Sequence, residues 1–462
     1  MGVVKKTSQR LTRLQALQWL EKRSNFEQIP TKLEKKTIFT LSRMASLLKV
    51  LGNPQRQFPS AHLAGTKGKG STAAMLAAIV QSAGYRVGCY LSPHVDRIEE
   101  RISIAGRPSS TADLLAAFRR IMPVVERLDQ LALRKNTTGP TWFEVLTAIA
   151  FIHFERKGID LAVIETGLGG RLDATNLYSP LVSLITNIRH DHTDVLGNTI
   201  RAIAIEKAGI IRRGSPVIST ALHPDAMKVI TEKSAEKQTK SFFLNRDFTV
   251  RPLRKKSSGN HAISNWHSFE IQAPPDSPAK RYRIAMAGIH QAENAAAAIM
   301  ATKVLARKGF QIDKHDIAAG LGKTRLPARI EWISSAPPII LDAAHNVASM
   351  DSLVKTLSDQ SSQPKKRILI FAASADKELT AMLRISTTYF TNIVLTRYAT
   401  NPRAATITRL REAAKKGGWQ EPHVAVSPTE AVLIGKRLAG KTGLLCIAGS
   451  FFLAAEARNA LT

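Results

Sequence analysis

Cysteine, long apolar runs, aromatic residues and acids are all scarce in this chain of 462 residues. The two cysteines, Cys89 and Cys446, stand far apart without CxxC spacing. That excludes a disulfide framework and a cysteine zinc site, and both read as small buried hydrophobes. No run of about eighteen uncharged apolar residues occurs, which excludes a membrane-spanning helix, and no membrane partner is expected. The N-terminal MGVVKKTSQRLTRLQALQWL lacks the apolar core of a signal peptide, and Lys6 stands where a myristoylation signal needs Ser or Thr. Its basic start has the composition of a transit peptide, but LQALQWLEKRSNFE reads better as an amphipathic helix of the folded domain, so a cytoplasmic protein is expected.

Asp and Glu number 36 against 66 Lys and Arg, a net charge of +30. Such an excess raises the question of nucleic acid. Aromatics are only 6%, however, and the charge is spread without a stripe of interleaved aromatic and basic residues. A solvated basic surface is the preferred reading, with no nucleic-acid partner, and a polyanionic small substrate would profit from the same field. Hydrophobic content is ample at 44%, and the length suggests two to four domains with sizeable cores.

Short apolar runs alternate with amphipathic ones: AHLAG, STAAMLAAIVQSAG, YRVGCYLS, then WFEVLTAIAFIHFERKG, IDLAVIETG, LVSLITNI and IRAIAIEKAGII. This rhythm predicts βαβ units and a parallel sheet covered on both faces. Residues 240 to 285 read instead as a small antiparallel β insertion. After a linker expected around 320 to 327, LPARIEWIS opens a second, smaller doubly wound α/β unit that continues through PPIILDAAHN, KRILIFAAS, TNIVLTRYA, HVAVS and GLLCIAGS. The expected division is residues 1–325 and 326–462.

GTKGKGS, residues 65 to 71, falls between an apolar run and an alanine-rich helix. Backbone N–H groups and the helix dipole favour phosphate at such a turn. The common GxxxxGK[ST] spacing is not met, because Gly70 separates Lys69 from Ser71. Three glycines beside two lysines nonetheless favour a nucleotide site over a plain turn. In VIETGLGGRLDATN, Glu165 closes a strand and would point to the same sheet edge. ITNIRHDHTDVLG puts His190, Asp191, His192 and Asp194 after another strand, a grouping suited to metal or phosphate. Lys207 follows on a helix. Asp342, His345 and Asn346 in LDAAHN, and Ser374, Asp376 and Lys377 in FAASADKE, also occupy loops after strands.

In this order the stretches AGTKGKGS, YLSPHVDRIEERI, TWFEVLTAIAF, ETGLGGRLDATN, ITNIRHDHTDVLGNT, EKAGII, LPARIE, LDAAHN, FAASADKE and AGSFFL resemble the folylpolyglutamate synthase and dihydrofolate synthase family of the Mur ligase superfamily. The resemblance covers nearly the whole chain. It implies a large P-loop-type parallel-sheet ATPase domain with a β insertion, plus a smaller C-terminal α/β domain. It further implies an ATP-dependent ligase joining L-glutamate to dihydropteroate or a reduced folate through an acyl phosphate, in a monomer. By the same resemblance Gly65, Thr66, Lys67, Gly68, Lys69, Gly70, Ser71, Asn294, Arg329 and Asp342 contact ATP. Ser92, Glu165, His192 and a carbamylated Lys207 hold magnesium at two sites. Thr141, Phe143, Arg171, Leu172 and Asp173 line the pterin pocket, His345 and Ser450 belong to the glutamate end, and Lys69, Lys207 and His345 are the catalytic candidates.

The chain departs from the family pattern at Lys67, usually asparagine, and at Arg189, Ala328 and Ala343, usually or often glycine. Arg189 puts the geometry around His192 in question, and LALRKNTTG at 131 to 139 reads as a loop insertion. The competing readings are another Mur-type amide ligase of the muramyl peptide or cyanophycin kind, and a nucleic-acid-stimulated P-loop ATPase.

Overall fold

Five consecutive buried residues form β1 (Ser60–Ala64), and β5 (Leu161–Glu165) repeats the pattern. Neither strand alternates with solvent, which requires cover on both faces. In the computed structural model, which describes residues 11–27, 40–253, 267–273, 277–359 and 363–461, these are the central strands of an eight-stranded sheet. The others are β2 (Val87–Tyr90), β3 (Ile102–Ile104), β4 (Arg107–Pro108), β6 (Val182–Ile185), β7 (Val217–Ser219) and β8 (Ser241–Phe243), in the order β4-β3-β2-β5-β1-β6-β7-β8. The six strands from β2 to β8 in that order are parallel, and β3 and β4 add an antiparallel edge.

The helices Lys69–Ser82 and Ile289–Ala306 bury alanine-rich faces on one side of the sheet. On the other side Trp142–Lys157 packs with Thr111–Arg134. Small alanine side chains let helices approach closely, and a strand pattern without alternation is satisfied only by such double cover. Both cysteines are buried.

The antiparallel insertion is present as three strands, β9 (Thr249–Leu253), β10 (His267–Gln272) and β11 (Lys280–Ile284). It begins later than expected, because Ser241–Phe243 pairs in parallel with β7 and extends the main sheet. Its polar loop, KKSSGNHAISN, lies outside the described residues. LALR is likewise not loop but the last turn of the helix Thr111–Arg134, so the connection to Thr141 is short.

The second sheet consists of β12 (Glu331–Ser335), β13 (Pro338–Leu341), β14 (Arg367–Phe371), β15 (Asn392–Leu395), β16 (His423–Val424) and β17 (Leu444–Ala448), ordered β12-β13-β17-β14-β15-β16. Only β12 runs antiparallel. Helices Val347–Ser358, Leu379–Thr387 and Ile407–Lys416 cover one face, and Pro428–Ala439 and Phe451–Asn459 the other. The expected linker is shorter than 320 to 327. Helix Lys314–Lys323 claims its first residues, because Gly320 packs so closely on the backbone of Ile79 that a Cβ would not fit. Among the described residues no helix is long and apolar enough to cross a membrane.

Candidate active site

β1, β5 and β6 lie side by side, with Leu63 opposite Glu165 and Ala64 opposite Ile185, so the loops at their carboxyl ends open onto one edge. After Ala64 the chain turns sharply. Gly65 has φ 151° and Gly68 φ 88°. A Cβ on Gly65 would strike the Thr186 hydroxyl, and one on Gly68 the Asn294 side-chain oxygen. Gly68 is the N-cap of the helix Lys69–Ser82 and gives it no side-chain cap, which leaves the first-turn N–H groups facing the cleft.

Two lysines converge beside this turn. Lys69 Nζ donates to the Gly65 carbonyl at 3.2 Å and lies 3.7 Å from Glu165 Oε1. Lys207, buried on the helix Ile200–Ala208, donates to the same carbonyl at 2.8 Å. Burial, reinforced by the Lys69 charge, lowers its pKa to about 7. The buried Glu165 carboxylate accepts from the Ser92 N–H at 3.1 Å, and burial pushes its pKa up against the pull of Lys69.

The loop after β6 is tied to the glycine turn. Thr66 N–H donates to Asn187 O at 2.8 Å, and the Thr66 hydroxyl bonds both the carbonyl and the N–H of Arg189 at 3.2 and 3.1 Å. Arg189 is thus held by its backbone and has no positive φ, so no glycine is required there, and its exposed side chain is part of the cleft lining. His192 does adopt a left-handed φ of 48°, and its ring is 58% exposed. Asp191 lies 3.8 Å from Lys67.

On the adjoining wall Thr141 caps the helix Trp142–Lys157 in a reciprocal bond pair with Glu144. Phe143 packs against Gly167, where any Cβ would overlap its ring. Asp173 accepts from Leu168 N–H, Thr175 N–H and the Thr175 hydroxyl at 2.8, 3.0 and 2.5 Å. Behind it His62 bonds the Thr175 oxygen at 2.8 Å. Arg171 pairs with Glu206 at 2.7 Å, and Leu172 lies beside it in the cleft lining.

From the second sheet, Asp342 accepts from Ile330 N–H at 2.9 Å and Ala344 N–H at 2.8 Å, binding the linker to the loop after β13. This holds Ala328 and Ile330 at φ 52° and 47°, left-handed conformations that cost side-chain-bearing residues roughly 1 kcal/mol or more. The Arg329 guanidinium lies 5.1 Å from the Phe451 ring centroid, and the His345 ring is 5.8 Å from the same ring. Ser450 caps the helix Phe451–Asn459 through Phe452 N–H. Both sets of residues line one cleft of about 2370 Å³; of the site residues that the family resemblance implies, Gly65 and Lys207 are not part of its lining, and Lys207 meets the Gly65 carbonyl from behind. Gly65 instead shapes the turn beneath it. Asn346 caps the helix Val347–Ser358 and Ser374 bonds Tyr398, while Asp376 and Lys377 remain at the rim.

The family signature described as Mur ligase middle domain matches residues 63–302, and that described as Mur ligase, glutamate ligase domain matches residues 328–451. The dihydrofolate synthase/folylpolyglutamate synthase of Bacillus subtilis is 33% identical over 91% of this chain and 94% of its own. The folylpolyglutamate synthase of Lacticaseibacillus casei is 37% identical over 82% and 86%. The chain belongs to the folylpolyglutamate synthase/dihydrofolate synthase family of Mur ligases. A solved Mycobacterium tuberculosis folylpolyglutamate synthase complexed with ADP and AMPPCP superposes with TM-score 0.84 at 32% identity, covering 97% of this chain and 98% of that one. An FPGS–AMPPCP–folate complex superposes with TM-score 0.78 at 30% identity, covering 98% and 100%.

Membership in this family implies magnesium, and the residues fit it. Glu165 is a buried carboxylate facing the cleft with one backbone donor and one lysine. Among the described residues no three His, Cys, Asp or Glu converge into a cage. A hard cation can take a single carboxylate such as Glu165 and complete its shell with water and phosphate oxygens.

Three features of this folylpolyglutamate synthase-like cleft were not legible in the sequence. Arg101 is fully buried, forks onto Glu27 at 2.8 and 2.6 Å, bonds His94 Nδ1 at 2.8 Å and lies 4.9 Å over the Trp142 ring. The His62–Thr175–Asp173 chain is the second. The contact of Lys67 with His345, 3.4 Å across the cleft, is the third. All three join residues far apart in sequence, and the only available signal was that Arg101 falls within EERI.

Proposed function

We propose that this protein is an ATP-dependent ligase that adds L-glutamate to dihydropteroate, to reduced folates, or to both. The observation that carries the reading is the single cleft in which the glycine turn, Glu165 and the Thr141–Phe143–Asp173 wall of one sheet face Arg329, Asp342 and His345 of the other. Family membership supplies the reaction class.

ATP phosphates would lie over residues 65 to 71, where open N–H groups and Lys69 favour the charge that develops as the γ-phosphoryl group moves to the acceptor carboxylate. ADP leaves, and the carboxylate becomes an acyl phosphate. The glutamate amine then attacks the acyl carbon, forms the amide, sheds its proton and expels phosphate. Magnesium, when bound by Glu165, His192 and Ser92 with a second ion at a carbamylated Lys207, would neutralise phosphate charge. Carbamylation joins CO2 to a neutral amine, and the lowered pKa of Lys207 supports it. Asn294 and Arg329 would contact the nucleotide, and Thr141, Phe143, Arg171, Leu172 and Asp173 the pterin.

His345 Nδ1 bonds the Ala343 carbonyl at 2.8 Å and so donates its proton there, which leaves Nε2 as an acceptor near the glutamate end beside Ser450. Burial and the Lys67 charge lower its pKa to about 3, so the ring is neutral at neutral pH. One chain supplies both faces of the cleft, which supports a monomer divided near residue 325; a cytoplasmic location is part of the same proposal.

The test is phosphate release and labelled-glutamate incorporation with dihydropteroate, reduced folate and UDP-muramyl acceptors in parallel. Turnover with either pterin acceptor is expected. Turnover with the muramyl acceptor alone overturns the reading.

A further inference from the structure

Lys67 stands where the family pattern carries asparagine, and its backbone is pinned at both ends. Its N–H donates to Asn187 Oδ1 at 3.0 Å, and its carbonyl accepts from the Thr186 hydroxyl at 2.7 Å. The Cα is therefore fixed, and the ammonium group can reach only what faces it. It lies 3.4 Å from His345 Nε2 and 3.8 Å from Asp191 Oδ2. Because His345 Nδ1 is committed to the Ala343 carbonyl at 2.8 Å, Nε2 offers a lone pair and Lys67 donates to it.

The two residues belong to different sheets, 278 positions apart in sequence. Among the described residues, further hydrogen bonds between the N-terminal and C-terminal parts include Ser352 with His290 at 3.1 Å and Arg403 with the Glu27 carbonyl at 3.2 Å. Neither involves the glycine turn. His345 shares the Phe451 ring with Arg329, and Ala343 N–H donates to the Ala328 carbonyl at 2.9 Å. Whatever holds His345 therefore also holds the Arg329 segment.

We propose that Lys67 is a positioning residue that latches the second sheet over the phosphate loop through His345 before nucleotide arrives, so that Arg329 and Asp342 already face the site. An asparagine at this position, which the family resemblance would usually put there, is too short to make the 3.4 Å contact with His345. The hydrogen bond is partly screened from water, which also lowers the Lys67 pKa to about 8, and such charge-assisted bonds are the stronger kind. The inference rests on ATP lying between the two sheets, but its first readout needs no catalysis.

The experiment places a donor and an acceptor fluorophore on cysteines introduced at the exposed Arg134 and Glu412 and measures energy transfer in the nucleotide-free protein. Lys67→Asn and Lys67→Met are expected to broaden and shift the distribution to longer distances, and Lys67→Arg to retain the closed one. An ATP analogue at saturation should bring the open variants back. His345→Gln should open the protein to the same extent, and the double variant no further. In turnover, KM for ATP should rise several-fold in Lys67→Asn, more than kcat falls. Unchanged energy transfer in both Lys67→Asn and Lys67→Met overturns the proposal, as does strict additivity of the Lys67 and His345 effects, which would make Lys67 a phosphate contact only. Loss of ligase activity in the wild-type chain would sink the functional reading and leave the transfer result standing.

Discussion

Lys69 and Lys207 donate to one acceptor, the Gly65 carbonyl, at 3.2 and 2.8 Å. Two ammonium groups sharing one carbonyl repel each other, and the more buried of them loses its proton more readily. Lys207 accordingly titrates near pH 7, with burial as the larger cause. Below that pH the amine holds its proton and cannot attack CO2; above it the lone pair is free. Carbon-13-labelled bicarbonate should give a carbamate signal that grows from about pH 6 to about pH 8 and vanishes in Lys207→Ala. A signal of equal size in that variant would refute the assignment.

Glu165 is the one buried carboxylate within 4 Å of Lys69 among the described ion pairs. In the proposed mechanism Lys69→Ala removes positive charge beside the phosphates and Glu165→Gln removes the carboxylate that would hold magnesium, and glutamate incorporation should fall by about a hundredfold or more in either. Near-normal activity in either variant rules out the mechanism.

Gly68 combines φ 88° with contact to the Asn294 oxygen. Gly68→Ala must either distort the turn or displace Asn294, at a cost of about 1 to 3 kcal/mol. Calorimetric titration with a non-hydrolysable ATP analogue should show affinity lowered by about tenfold or more, whereas Gly214→Ala, whose Cβ would meet nothing, should bind normally.

His62 is fully buried on the central strand, and burial lowers its pKa to about 3 from 6.5. Between those values the unfolded chain takes up a proton that the folded chain refuses, so stability falls as pH drops through that window. The contribution is up to about 1.4 kcal/mol per pH unit. His62→Gln should flatten the slope of unfolding free energy between about pH 6 and about pH 4 by up to that amount, as read from urea melts. An unchanged slope would show that other groups carry it.

The buried Arg101 forks onto Glu27, whose side chain is 36% exposed, beside the Thr141–Phe143 wall. Arg101→Met removes the fork, and because water still reaches the Glu27 carboxylate the loss should be about 1 to 3 kcal/mol, seen as a lowered melting temperature. A melting temperature unchanged in Arg101→Met would show the pair to be dispensable.

Much of the architecture was written locally. The unbroken apolar runs of β1 and β5 required a parallel sheet with helices on both sides, and Gly65–Ser71 with its alanine-rich continuation required a strand, a turn and a helix N-terminus. Those patterns are set by residues within a few positions of one another, so composition and spacing suffice to read them. Boundaries were less legible where packing decided them. Ser241–Phe243 joined the main sheet because β7 offered an open edge, LALR stayed helical as a continuation of a long helix, and Gly320 remained in a helix because Ile79 lay against it.

The order of chemistry-bearing motifs was likewise present in the chain, down to the residues that face the cleft. What only the tertiary structure decided is which groups touch: that Lys69 and Lys207 share a carbonyl, that Thr66 holds the Arg189 backbone, that Asp173 stands on a His62–Thr175 chain, and that Lys67 reaches His345. Each such contact joins positions from tens to hundreds of residues apart. Distance and burial, not residue type, set its charge and its strength.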